Sequence, residues 1–137
     1  LGDSIMTSIV IAPLANHQTQ FINLERLRLQ ECERVQALRV ELTKCGAEIM
    51  ETGDALTINP GELKGAEIET YDDHRIAMCF ATLGLKVPGI RIKNPSCVRK
   101  TFPTFFYKLA APRPVGLGAA VLDGQGNKLA VENLIAD

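Results

Sequence analysis

Residues 71 to 80 read YDDHRIAMCF, two acids, a histidine and an arginine set directly against an apolar run. Two further clusters repeat the arrangement, RLQECERVQAL at 28 to 38 and NPSCVRKTFPTFF at 94 to 106. In each, a stretch with strand character ends, polar residues follow and a helical pattern begins. The polar residues are Gln30, Glu31, Glu33 and Arg34, then Asp72, Asp73, His74 and Arg75, then Arg99, Lys100 and Thr101. A helix start exposes unpaired backbone N–H groups and a partial positive charge, so it attracts anions. An arginine placed there adds a planar fork that holds two phosphate or carboxylate oxygens at once. Three such starts brought together would grip a small, multiply charged anion. The same letters permit a plainer arrangement, in which Asp72, Asp73 and Glu31 cap their helices and the basic residues pair with them at the surface. The two differ in convergence, which spacing alone does not supply.

The totals narrow the classes of function. A chain of 137 residues supports one ordinary domain with a real core, plus a tail. Fifteen Lys and Arg against sixteen Asp and Glu give a net charge of -1, so no whole-protein field favours nucleic acid or an anionic membrane. The longest apolar stretch, residues 5 to 15, is broken by Thr7, Ser8 and Pro13, too short to span a bilayer, and without the basic flank of a signal peptide. A soluble, cytoplasmic protein is expected. Cys32, Cys45, Cys79 and Cys97 lack the paired spacing of a zinc site, and only two histidines are available to join them. Cys45 and Cys79 sit among apolar neighbours, which predicts reduced, buried thiols.

The elements that must position the clusters follow from periodicity. A buried helix is expected over Met6 to Ala15, with Pro13 near its end. Thr19 to Leu24, with Leu27 and Leu29, has strand character. From Glu31, Val35, Leu38, Leu42 and Cys45 recur at intervals of three and four, and Gly46 follows as a C-cap, which predicts a helix. Residues 47 to 51 and 55 to 58 read as strands joined by a tight turn. A short strand over 66 to 70, a helix from Asp72 to Leu83, a strand over 90 to 93 and a short helix from Phe102 to Leu109 complete the series. Pro103 would lie in that helix's first turn. Strand and helix alternate, so the fold class is α/β or α+β, with a weak internal repeat of unit architecture.

YDDHRIAMCFATLGL, CVRKTFPTFF and LRLQECERVQALRVELTKCGAEI closely resemble the C-terminal part of the 5-enolpyruvylshikimate-3-phosphate (EPSP) synthase family, the enolpyruvyl transferases of the shikimate pathway. The sister enzymes acting on a UDP-sugar lack the DHR and KTFP segments. The resemblance runs from about residue 2 to residue 110 and implies a partial C-terminal domain over 1–110, followed by an unassigned tail over 111–137. It implies βαβαββ-type repeat units, helices packed inside each domain, and helix N-termini aimed at a cleft between two domains. The implied reaction adds the 5-hydroxyl of shikimate 3-phosphate to phosphoenolpyruvate and then expels phosphate. No metal or organic cofactor is implied. Position by position, Asp3 in GDSIMT matches the family acid that contacts the attacking hydroxyl, with an N-cap as its plainer alternative. Glu31 matches the acid that protonates the methylene carbon, work that requires a tuned carboxylate. Arg34, Arg75 and Lys100 match the cations on phosphoenolpyruvate, and His74 stands beside them in a supporting role.

Departures fall on the shikimate side. Gln30 stands where the family's KETDR segment has the lysine that bridges both substrates, Cys32 and Glu33 replace its Thr and Asp, and Arg26 stands where an asparagine is usual. Glutamine has neither the charge nor the reach of lysine. About 110 residues are roughly a quarter of a family chain, so this chain is expected to show no measurable turnover without a complementary N-terminal part. Two other readings remain open: a non-catalytic module that binds phosphate or phosphoenolpyruvate, and a structural remnant that forms homo-oligomers. In the tail, residues 119 to 122 carry strand character, DGQGN is a turn signal, and residues 128 to 135 are amphipathic. That tail is read as a hairpin and short helix, as a cover for bare surface, or as a disordered or appended segment.

Overall fold

Asn23 adopts a left-handed backbone, φ 58°, and so ends a strand that the apolar letters carry on to Leu29. The computed structural model describes residues 4–136. The first strand, β1, is Thr19–Phe21, and Glu25–Leu29 winds as a 3-10 helix. The predicted extension of β1 through Leu27 and Leu29 is therefore corrected: Leu27 is buried, but Leu29 is 86% exposed. Helix α1 is Ser4–Ile11, and Ala12–Leu14 tightens into a 3-10 turn with Pro13 in its opening positions, where a missing N–H costs least.

The described residues form two compact units, which divide between Pro95 and Ser96. In the first, helix α2 spans Arg34–Lys44, strands β2 and β3 span Glu48–Thr52 and Ala55–Asn59, β4 is Glu67–Ile68, helix α3 is His74–Leu83 and β5 is Arg91–Ile92. The α2 C-terminus matches its sequence signal: Gly46 has φ 88° and donates to Thr43 O, and Ala47 donates back to Leu42 O. The β2–β3 hairpin turns on Gly53 and Asp54, with Gly53 at φ 58° in the first central position, as a two-residue turn requires.

β3 pairs antiparallel with both β1 and β2, in the order β1-β3-β2. β1 and β2 are therefore parallel to each other, joined over α2, with β3 inserted between them. β4 and β5 pair parallel, joined over α3. The first unit thus holds two strand-helix-strand crossovers, the mixed α/β architecture expected from the alternation. Leu56 and Ile58 of the three-stranded sheet and Ile68 of the two-stranded sheet share one core with an apolar stripe on each helix: Met6, Ile9 and Val10, then Val35, Leu38 and Leu42, then Ile76, Cys79, Phe80 and Leu83. The β4–β5 crossover is closed tightly at Gly65, where an added Cβ would meet Gly89 backbone carbon and oxygen at 2.4 Å.

A 3-10 helix, Pro95–Lys100, starts at the unit boundary, and Phe102 N closes it onto Val98 O at 2.8 Å. Helix α4 runs Phe105–Ala110, three residues later than predicted. Proline at 103 disfavours helical backbone at Phe102, so the helix begins only beyond it. Residues 117 to 119 fold back onto the last turn of α4, Leu117 N to Lys108 O and Ala119 N to Leu109 O. The tail closes a small turn by the bridge between Leu122 and Lys128, with Asp123 Oδ1 accepting from Gln125 N and Asn127 N at 2.9 Å each. None of the four cysteines forms a disulfide; Cys45, Cys79 and Cys97 are buried and Cys32 is half-buried.

Candidate functional site

Helix α2 begins where Glu33 turns its carboxylate onto the chain. Its Oε1 accepts from Val35 N at 3.0 Å and Gln36 N at 3.2 Å, and its Oε2 accepts from Arg28 Nη1 at 2.8 Å. Arg28 also reaches Glu51 at 2.9 Å, Asp54 at 2.7 Å and the carbonyl of Gly53. This arginine thereby ties the turn of the β2–β3 hairpin to the start of α2. Sequence reading passed over it, because its three carboxylate partners lie up to 26 positions away.

Arg34, the first residue of α2, is 2% exposed. Its guanidinium forks onto Asp73, Nε to Oδ2 at 2.7 Å and Nη2 to Oδ1 at 3.1 Å. Asp73 is the N-cap of α3, fully buried, and also accepts from Arg75 N at 2.9 Å and from Cys32 Sγ at 3.3 Å. Burial pushes this carboxyl up, but the Arg34 fork and the Arg75 N–H outweigh it and hold Asp73 below the usual carboxylate range. Burial, and then Asp73 itself, push the Cys32 thiol up to about 12, so it stands protonated at neutral pH and is no nucleophile. Burial also raises Cys79, whose thiol lies 3.5 Å from Thr7 Oγ1.

The starts of α2 and α3 are thus brought together, but not as open anion sockets. Each start is filled by a carboxylate of its own, Glu33 and Asp73, and Arg34 holds the acid that caps the other helix. The plainer sequence reading is right about a cap at Asp73 and wrong about the setting, since this pair is among the most buried charges in the molecule. The caps predicted at Asp72 and Glu31 are corrected to the next acid along, Asp73 and Glu33. Asp72, exposed at φ 54°, accepts instead from Asn94 Nδ2 at 3.3 Å.

Of the other predicted residues, His74 and Arg75 are the half-buried first two residues of α3. Gln30 and Glu31 are exposed in the stretch leading into α2, and Arg26 is exposed in the 3-10 turn before it. Lys100 is exposed in the second unit, closing the Pro95–Lys100 turn; its expected place at the start of the last helix is corrected, because that helix opens at Phe105. Asp3 lies outside the described residues.

A second buried acid escaped sequence reading. Glu41 is fully buried, accepts from Lys44 Nζ at 2.7 Å and Glu69 N at 2.9 Å on one oxygen, and from Tyr71 Oη at 2.6 Å on the other. Tyr71 and Asp72 are consecutive left-handed residues, φ 56° and 54°, each costing roughly 1–3 kcal/mol for a side chain other than glycine. The available signal was a charged residue set in the apolar stripe of α2, seven positions after Arg34. Among the described residues no helix is long and apolar enough to cross a membrane.

The sequence model of the family described as EPSP synthase (3-phosphoshikimate 1-carboxyvinyltransferase) matches residues 1–109. The chain is 47% identical over 106 residues to a 3-phosphoshikimate 1-carboxyvinyltransferase of Nostoc punctiforme, covering 77% of this chain and 25% of that one. It is 44% identical over 112 residues to the enzyme so named in Aeromonas salmonicida, covering 81% and 26%. A solved EPSP synthase from Acinetobacter baumannii superposes with a TM-score of 0.71 at 32% identity, covering 77% of this chain and 26% of that one. The chain spans about a quarter of the length of these relatives.

Proposed function

Because this chain belongs to the EPSP synthase family, we propose that it is a C-terminal part of an enolpyruvyl transferase, supplying the phosphoenolpyruvate side of a site that the remaining three-quarters of such an enzyme completes. In the proposed reaction the 5-hydroxyl of shikimate 3-phosphate bonds to C2 of phosphoenolpyruvate while its methylene carbon gains a proton. The C2–O bond to phosphate then breaks as the new methyl group returns a proton, which restores the double bond and releases inorganic phosphate. A cytoplasmic location goes with this reading.

The observation that carries the proposal is the junction of two helix starts around Asp73. It fixes Arg34 and delivers Arg75 at the head of α3, in a setting where charged groups are little screened. Neutralised by Asp73, Arg34 serves chiefly to hold the junction, and Arg75 is the cation we assign to the ligand, with His74 beside it. For Lys100 the support is the KTFP segment, which lies within the matched residues. Proton transfer at the methylene carbon is assigned to Glu31, which is exposed, whereas neighbouring Glu33 and buried Asp73 are spent on caps and ion pairs. Asp3 is assigned to the attacking hydroxyl by its place in GDSIMT.

Gln30, in place of the family's lysine, and Arg26, in place of its asparagine, favour a second reading: a module that keeps the anion and no longer recognises shikimate 3-phosphate. Titration of the chain with phosphoenolpyruvate, followed at backbone amides, tests both. Shifts at Arg34, Arg75 and Lys100 that saturate are expected. Silence at all three would leave a non-binding remnant, whose signature is self-association in sedimentation. Adding shikimate 3-phosphate separates the two readings, since only the first predicts further shifts around Gln30 and Glu31.

A further inference from the structure

Two charged contacts on one face of α2, two turns apart, grip the entry to α3. Arg34 holds Asp73, and Glu41 holds Tyr71. The chain leading from Tyr71 to Asp73 carries the only run of consecutive left-handed side chains among the described residues, Tyr71 and Asp72. Resting on the anion-binding reading above and deepening it, we propose that Glu41 and Tyr71 are positioning residues: their clamp keeps the strained turn wound so that α3 begins with Arg75 aimed at its ligand.

The wiring supports a clamp rather than a stray buried acid. Both oxygens of Glu41 are engaged, one by Lys44 and the Glu69 N–H, the other by the Tyr71 hydroxyl. The turn is tied again by Thr70, whose Oγ1 donates to Lys93 O at 2.8 Å and whose carbonyl accepts from Asp73 N at 2.8 Å. Tyr71 N also donates to Glu69 Oε1 at 3.4 Å. A backbone left to itself would relax out of two successive left-handed residues, and persistent strain of this kind collects where a side chain must be presented in one direction. Burial, then the bond to Glu41, push the Tyr71 hydroxyl above its ordinary range, so it remains a donor throughout the working pH range. Arg34 holds the Asp73 carboxylate, but these bonds do not hold the turn that leads there.

The test compares the full chain with Tyr71→Phe, which removes one hydroxyl, with Glu41→Gln, and with Ile58→Val as a control for simple loss of stability. Amide hydrogen exchange at Asp73 and Arg75 should quicken about tenfold in Tyr71→Phe, the scale of one lost hydrogen bond to a charged group. Exchange at Leu38 and Leu42 should hold. Titration with inorganic phosphate, read at the Arg75 amide, should show affinity falling about fivefold or more in Tyr71→Phe and not in Ile58→Val. Exchange at Asp73 and Arg75 no faster in Tyr71→Phe than in Ile58→Val overturns the clamp, as does faster exchange with phosphate affinity unchanged. Faster exchange in a protein whose parent form binds no phosphate supports the clamp and overturns the anion-binding reading alone. Should Glu41→Gln fail to fold, Tyr71→Phe decides the matter.

Discussion

Replacing Asp73 by asparagine keeps a capping side chain on α3 but withdraws the charge that Arg34 is buried against. Breaking a buried pair from one side costs about 3–5 kcal/mol, so Asp73→Asn should lower stability by that order in urea unfolding. The pH dependence has a definite sign. The folded carboxyl is held below an unfolded value near 3.9, so the pair's contribution is complete above about pH 4 and is lost as pH falls through the lower folded value. The stability gap between parent and Asp73→Asn should therefore be flat from about pH 5 to 8 and close below about pH 4; a gap that widened in acid would contradict the pairing. DDHR announces a capped helix with a cation at its head, and both are present. That Arg34 would claim the cap could not be read, since 39 positions separate the two residues and only the fold closes that distance. The partners of Glu41 were likewise hidden, because Glu69 and Tyr71 stand 28 and 30 positions away.

At the scale of elements, legibility followed how local each signal was. The α2 stripe, Gly46 at its end and the Gly53–Asp54 turn were all readable, because each is a rule about neighbours in the chain. The 3-10 helices over 25–29 and 95–100 were read as strand and loop, because a 3-10 turn leaves no long periodicity and a left-handed Asn23 has no spelling of its own. The close approach of Gly65 to Gly89 yields a sharp expectation. Gly65→Ala should cost about 1–3 kcal/mol, as the Cβ must push the two backbones apart, and should speed exchange at Arg91, whose N–H bonds to Ala66 O. Gly61→Ala, with nothing within 4 Å of its Cβ, should lie within about 0.5 kcal/mol of the parent. Equal effects at the two sites would show that the β4–β5 crossover tolerates opening.

For the molecule as a whole, the matched residues amount to about a quarter of each relative, and the helix starts they contain are one side of an enzyme's cleft by the reading proposed here. Phosphate release from phosphoenolpyruvate and shikimate 3-phosphate should be undetectable with this chain alone and should appear when a complementary N-terminal part of a family enzyme is added. Robust release by the lone chain would end the proposal. Substituting Gln30→Lys in the mixture should raise turnover, since it returns the charge that bridges both substrates in the family. The strand order β1-β3-β2 bears on assembly. β2 and β3 are neighbours across two residues, a closure that takes microseconds, whereas β1 joins β3 over a loop of more than thirty residues that must first wind into α2. During synthesis β1 therefore emerges before the other two strands of its sheet, and any chaperone acting on this sequence would meet Thr19–Phe21 while its hydrogen-bonding edge still awaits a partner not yet synthesised.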